Sequence, residues 1–222
     1  GECRNSGRRT RGFRSVNSTI HSHSYGPTPR LDSLPKLLGA TKLSGMQNFA
    51  LRTFGDPVLK VKTVDVIEFP GELAKLADSM IPTLYDSNGL GLAATQVGIQ
   101  KRLFVYDMDD DNGPQTVVNP VIVEEKDTAV YEEGCLSIPG LYLAIERPDK
   151  VTVQMQDIEG NEKIIELDEL MARLFQHELD HLNGGLMFDR ILDDDERKVA
   201  MSEYNNILLT GQIPTGQRTK RL

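Results

Sequence analysis

Residues 168–185, DELMARLFQHELDHLNGG, are the stretch on which the reading of this chain turns. Leu170, Leu174, Phe175 and Leu182 recur at helical spacing, Asp168 stands where an N-cap belongs, and Asn183-Gly184-Gly185 supplies a stop. The spacing predicts a helix over residues 169–182. On it His177 and His181 lie one turn apart on one face, so both imidazoles can reach a single metal ion. Glu178 sits beside them, where its carboxylate can take a proton from an attacking water. The chain has four histidines in all, which makes a chance match of this pattern the weaker reading.

Two imidazoles leave a tetrahedral ion in need of a third protein ligand if one position is to stay open. The acidic residues and Cys135 are the candidates. Cys135 lies in Glu132-Glu133-Gly134-Cys135-Leu136-Ser137-Ile138-Pro139-Gly140. Glycine and proline mark that segment as irregular, so a thiolate there could be aimed at a site, yet a lone cysteine is equally at home as a buried core thiol. Further upstream, Asn88-Gly89-Leu90-Gly91-Leu92-Ala93-Ala94-Thr95-Gln96-Val97-Gly98 has the look of a dinucleotide fingerprint. That reading fails, because a helix instead of a strand precedes it and Ala94 takes the place of the third glycine. What remains is either a tight turn with small-residue packing, or a wall closely approached by a substrate backbone, with Gln96 offering an amide donor.

Around these motifs, Leu73, Leu76, Ala77, Met80, Ile81 and Leu84 predict an amphipathic helix over residues 70–86, with Pro70 near its start and Pro82 arguing for a kink or early stop. Asp86-Ser87-Asn88-Gly89 reads as a turn. Residues 102–106, 117–123, 151–156 and 163–167 read as strands, the last two joined by a hairpin at Glu159-Gly160, and a further helix is expected over 194–209. Few long helices among short strands imply an α+β domain.

The formal net charge of the 222 residues is -8, unevenly placed. Residues 1–45 hold eight bases against two acids, a balance of +6, which leaves -14 for the rest. So acidic a body repels phosphate backbones and argues against DNA binding. The Arg- and Ser-rich, acid-poor leader, expected to lack order, has the composition of an organellar transit segment; it could as well be an extension foreign to a natural protein that starts at Met46. The catalytic domain is expected over residues 46–210, followed by a flexible basic tail at 211–222. Cys3 and Cys135 suggest no disulfide framework, and no stretch approaches the roughly 18 apolar residues that span a bilayer.

Three motifs in order, Gly89-Leu90-Gly91-Leu92-Ala93-Ala94-Thr95-Gln96, Glu133-Gly134-Cys135-Leu136-Ser137 and Gln176-His177-Glu178-Leu179-Asp180-His181-Leu182-Asn183-Gly184, resemble those of the peptide deformylase family. The resemblance runs from about Met46 to Asn205. It implies mixed, mainly antiparallel sheets packed around a central metal-binding helix, and a metallohydrolase that removes the formyl group from the initiator formylmethionine of nascent polypeptides, releasing formate. It makes Cys135, His177 and His181 the metal ligands and Glu178 the general acid/base. The side-chain amide of Gln96 and the backbone N–H of Leu136 become the oxyanion donors. The implied metal is Fe(II), with Zn(II) or Ni(II) able to occupy the same site.

By the same resemblance, Leu90, Leu170 and Leu174 occupy or adjoin methionine-pocket positions, while Gly89 and Gly91 let the peptide backbone approach. Glu133 is expected to pair with Arg147 and stiffen the Cys135 segment, the competing view being a surface pair worth little; Asp180 orients a ligand histidine, lies solvated on the helix or joins a salt bridge. Tyr142, Arg173 and Leu174 depart from common family residues, which puts the rim of the substrate groove in question. A monomer is expected, in the cytoplasm, or in a plastid or mitochondrion if the leader is a transit segment. Arg218, Lys220 and Arg221 could meet the ribosome surface. Two competing readings stand beside this one: a metallopeptidase, whose third ligand would ordinarily be a downstream histidine or acid, and a structural metal module, which would ordinarily close its site with a fourth protein ligand.

Overall fold

The computed structural model describes residues 48–211; the leader 1–45 and the tail segment 215–222 lie outside them. Ten elements follow one another: α1 (Glu72–Asp86), β1 (Gly91–Ala93), β2 (Leu103–Tyr106), β3 (Gln115–Lys126), β4 (Ala129–Cys135), β5 (Ile138–Arg147), β6 (Lys150–Gln156), β7 (Glu162–Asp168), α2 (Glu169–Leu182) and α3 (Asp194–Thr210). Short 3-10 turns occupy Pro57–Lys60, Ala94–Val97 and Met187–Arg190.

Five strands form one antiparallel sheet in the order β1-β2-β3-β6-β7, and β4 pairs with β5 in a separate two-stranded sheet. β3 and β6 are neighbours in the larger sheet, so the hairpin β4–β5 is an excursion between two paired strands. Strand side chains alternate between faces, and here each face meets a helix. Leu92, Leu103, Val105 and Val118 pack with Leu73, Ala77, Met80 and Leu84 of α1. Ala93, Phe104 and Val117, from the other face, pack with Ala172, Leu174, Phe175 and Leu182 of α2. Because both faces of the sheet are covered, β2 reads Leu-Phe-Val-Tyr with no polar alternation. A third cluster joins Cys135, Ile138 and Leu141 of the hairpin to Ala200, Tyr204 and Ile207 of α3.

Several sequence expectations shift. α1 runs through Pro82 to Asp86 without stopping. The carbonyl that Pro82 cannot engage, that of Asp78, belongs to an exposed residue where water can serve it, while the buried face of the helix holds the whole element on the sheet. β3 is longer than expected, extending to Lys126 with irregularities on either side of Val121. Pro120, which cannot donate to a ladder, sits at the first of them and turns its carbonyl to Arg102, whose Nη2 lies at 2.8 Å. Asp168 makes no side-chain cap on α2. It ends β7 opposite Lys150, so strand runs directly into helix, and the Glu169 N–H is met by the Asp149 carbonyl at 3.0 Å instead.

The largest difference concerns residues 129–147. The segment around Cys135, read as irregular, is an antiparallel hairpin whose register breaks between Gly134 and Cys135. The break re-aims the residue that follows it, as bulges commonly do.

Candidate metal centre

α2 is buried from Ala172 to Leu179, so its chemistry faces the interior. Extended chain ahead of α1 laces the motif segments together: Arg52 N–H donates to Gln96 O at 2.7 Å, Phe54 N–H to Ser137 O at 2.8 Å, and Thr63 N–H to Leu182 O at 2.9 Å. Gly184, just past α2, has φ +78°, and a Cβ there would come within 2.8 Å of the Lys60 carbonyl oxygen. Glycine is therefore required where the helix end meets this strap.

Among the described residues, the ligand atoms of Cys135, His177 and His181 lie within 4.8 Å of one another, all buried. Cys135 Sγ is 3.2 Å from His181 Nε2. His177 Nδ1 is 3.1 Å from Glu133 Oε2, which leaves its Nε2, buried and without a hydrogen-bond partner, to face the cluster. A carboxylate on the far nitrogen fixes the tautomer and orientation that a metal-ligating histidine needs. One sulfur and two nitrogens, with an orphaned buried donor atom among them, fit a borderline divalent metal.

Both carboxylate oxygens of Glu178 are buried; no side chain bonds them, and the Ala93 N–H, already given to Gln96, is the backbone donor beside them. Burial pushes this carboxyl up to about 7, against the opposing pull of His177. A Cβ on Gly91 would fall on Glu178 Oε1. The glycine at the start of β1 thus makes the space that the carboxylate occupies, a reason for Gly91 different from the expected approach of substrate backbone. Gly89 is likewise hemmed in: a Cβ there would stand 2.8 Å from Leu136 Cδ1.

Gln96 is fully buried on the 3-10 turn after β1. Its Oε1 accepts from Ala93 N–H at 2.8 Å, which points Nε2 toward Ser137 Oγ at 3.2 Å and Cys135 Sγ at 3.9 Å. Ser137 lies within the recognised motif, and its part in orienting Gln96 emerges only from the structure. Leu136 is buried, with its side chain in the cluster under α1. Leu90 and Leu174 share the α2 cluster. Leu170 is one helical turn before Leu174 and 47% exposed, so residues 170, 174, 178 and 181 trace one helix stripe from solvent to the cluster.

The Glu133–Arg147 pair is a buried fork: Nε to Oε1 at 2.6 Å and Nη2 to Oε2 at 2.9 Å, with both side chains fully buried. Burial alone would raise the Glu133 carboxyl, but hydrogen bonds from His177 and Arg147 outweigh it and hold the group far below the usual carboxylate range. Asp180 does not touch a ligand histidine. It accepts from Arg147 Nη1 at 2.8 Å and from Arg190 Nε at 2.9 Å, and so acts on the cluster through Arg147. Arg173 also departs from expectation. It does not line a groove rim but lies buried, reaching Glu133, Ile145 O and Ala129 O. Its place four residues before His177, between Ala172 and Leu174, was the available signal.

Residues 49–197 match the family model described as Polypeptide deformylase. The chain is 48% identical over 144 residues to a peptide deformylase of Thermotoga sp. strain RQ2, covering 64% of this chain and 87% of that one. It is 44% identical over 155 residues to a peptide deformylase of Prochlorococcus marinus strain NATL1A, covering 68% and 77%. A crystal structure of a peptide deformylase from Synechococcus elongatus in complex with actinonin superposes with a TM-score of 0.67 at 40% identity, covering 71% of this chain and 88% of that one.

Proposed function

The chain belongs to the peptide deformylase family, and on that premise we propose how its residues divide the work of a metal-dependent hydrolase that frees formate from the initiator formylmethionine of nascent polypeptides. Cys135, His177 and His181 hold the metal. When bound, that metal supplies Lewis acidity toward the formyl oxygen and makes water a stronger acid. Fe(II) is the proposed native ion, with Zn(II) or Ni(II) suited to the same donor set.

Glu178 accepts a proton from the attacking water and returns it to the departing amine. A fully buried carboxylate with a raised proton affinity suits both halves of that exchange. As charge develops on the formyl oxygen, Gln96 Nε2 and the Leu136 backbone N–H stabilise it. Gln96 is pre-aimed for this by its bond from Ala93, and its contact of 3.9 Å with Cys135 Sγ is weak enough to be given up. Glu133 and Arg147 keep His177 and the Cys135 hairpin in place from behind.

Leu90, Leu170 and Leu174 form the apolar contact for the methionine side chain. β1 is an edge of the five-stranded sheet, and its backbone with Gly89 and Gly91 receives the peptide as an added strand. Backbone pairing reads no sequence, so selectivity is sharp at methionine and loose beyond it. We further propose that the enzyme acts as a monomer and that Arg218, Lys220 and Arg221 meet the ribosome; unchanged ribosome affinity at low salt after deletion of residues 215–222 would refute the latter. Cytoplasmic or organellar residence turns on residues 1–45, and attaching them to a reporter protein decides it.

The observation that carries the assignment is the fully buried Glu178 carboxylate beside three converging ligand atoms. The test is formate release from a formyl-Met peptide by wild type and Glu178→Ala. The variant should keep its metal and lose about 10²–10⁴-fold in turnover. Equal turnover would remove Glu178 from the mechanism.

A further inference from the structure

The ligand-bearing elements α2 and β4–β5 belong to different apolar clusters. Ala172, Leu174, Phe175 and Leu182 of α2 pack with β2, β3 and β6, whereas Cys135, Ile138 and Leu141 pack with α3 and residues 186–188. Hydrophobic burial therefore places each element well but does little to fix one against the other. What joins them is polar. Gln176 Nε2 reaches Pro148 O at 2.8 Å, His177 meets Glu133, and Arg147 crosses from hairpin to helix to reach Asp180.

Arg173 crosses in the opposite direction and touches both strands. Its Nη1 donates to Glu133 Oε1 at 2.5 Å and to the Ile145 carbonyl at 2.9 Å, while Nη2 donates to the Ala129 carbonyl at 2.8 Å. The Tyr131 ring lies 4.8 Å from its guanidinium carbon. A planar fork distributed over a carboxylate and two carbonyls fixes orientation as well as distance, which a lysine ammonium cannot do. We propose that Arg173 is a positioning residue, clamping the hairpin that carries Cys135 onto the helix that carries His177 and His181 and so setting where the thiolate stands relative to the two imidazoles. The proposal rests on the assignment of those three residues as ligands.

The test uses Co(II) as the probe in the full chain. Wild type loaded with Co(II) should show thiolate-to-metal absorption; its absence would overturn the ligand assignment and the clamp with it. With that absorption present, Arg173→Met should weaken or shift it and should lose Co(II) to a chelator faster, by about 10-fold or more, within the range seen when outer partners of a metal site are removed. Its kcat should fall by a similar factor while KM stays within about twofold, because the methionine pocket is untouched. Arg173→Lys, which keeps the charge beside Glu133 and loses the fork, should fall between. Leu73→Ala, in the core cluster under α1, supplies a control that loses stability without touching the clamp. If both Arg173 variants keep the wild-type spectrum and chelation rate and merely melt lower, as Leu73→Ala does, the clamp is refuted. Should Arg173→Met not fold, Arg173→Lys decides by the same readouts.

Discussion

Helix α2 and hairpin β4–β5 supply ligands to one cluster by opposite means. His177 and His181 come from successive turns of α2, so the helix repeat sets their separation, whatever the rest of the molecule does. Cys135 stands 42 residues before His177 in the chain and reaches the same point through a broken strand register and charged side chains. The helix pair is a local property of the sequence. The thiolate position is a tertiary one, and it is the part of the site more exposed to damage from a distance.

That contrast can be broken most severely at the ligands. His181→Ala and Cys135→Ser should each reduce formate release by more than the roughly 100-fold upper range for loss of an outer partner. Metal analysis should show substoichiometric loading in both. Full loading with wild-type turnover in Cys135→Ser would mean that the hairpin supplies no ligand. Next in size is Gly91→Ala, which forces a methyl group onto the Glu178 carboxylate. Misplacing a catalytic group by about 1 Å can cost roughly 10²-fold, so kcat should fall by about that factor with the metal retained. A variant with normal kcat would show that Glu178 acts from another position.

Arg147→Met sharpens the hairpin side of the comparison. It leaves Glu133 with Arg173 as its remaining guanidinium partner and takes from Asp180 its buried one. Breaking a buried ion pair from one side costs about 3–5 kcal/mol, measurable by urea unfolding of the metal-loaded protein. Metal retention should fall with it. An exposed pair such as Lys75–Glu72, removed as a control, should leave stability nearly unchanged, because solvent screens it.

The same contrast explains what could be read in advance. Periodicity and turn residues delivered α2 within the described boundaries, together with α1, α3, strands β2, β6 and β7 and most of β3, because these depend on spacing within a dozen or so residues. Two glycines and a proline around Cys135 suggested irregularity, whereas pairing with residues 138–147 made a strand there; cross-strand partners are invisible to local spacing. Asp168 looked like a cap because its chemistry suits one, but its place in the β6–β7 ladder took precedence. Arg173 stands out in the sequence only as a departure from a common family residue, one that put the groove rim in question. Nothing within several residues of it announces the carboxylate of Glu133, 40 positions upstream.

The smallest expected effect lies at the β6–β7 turn, away from both ligand-bearing elements, where the comparison predicts stability without function. Asp157 accepts from Asn161 N–H at 2.9 Å and from Glu159 N–H at 3.1 Å, and pairs with Lys163. Burial acts to raise its carboxyl, but the bonds from Asn161 and the pairing with Lys163 outweigh this and bring it down to about 2. A depressed carboxyl adds stability above its unfolded value, near 3.9, and loses that contribution as pH falls through the folded value. Asp157→Asn should therefore be less stable than wild type at neutral pH, by about 1 kcal/mol for the weakened charged hydrogen bonds. The gap should close as pH drops from about 4 toward 2. Formate release at neutral pH should be unchanged, since the turn shares no side-chain bond with Glu133, Cys135 or α2. Urea unfolding across that pH range checks the sign: a gap that widens on acidification would mean that the Asp157 carboxylate destabilises the turn, and loss of activity would tie this edge of the sheet to the site.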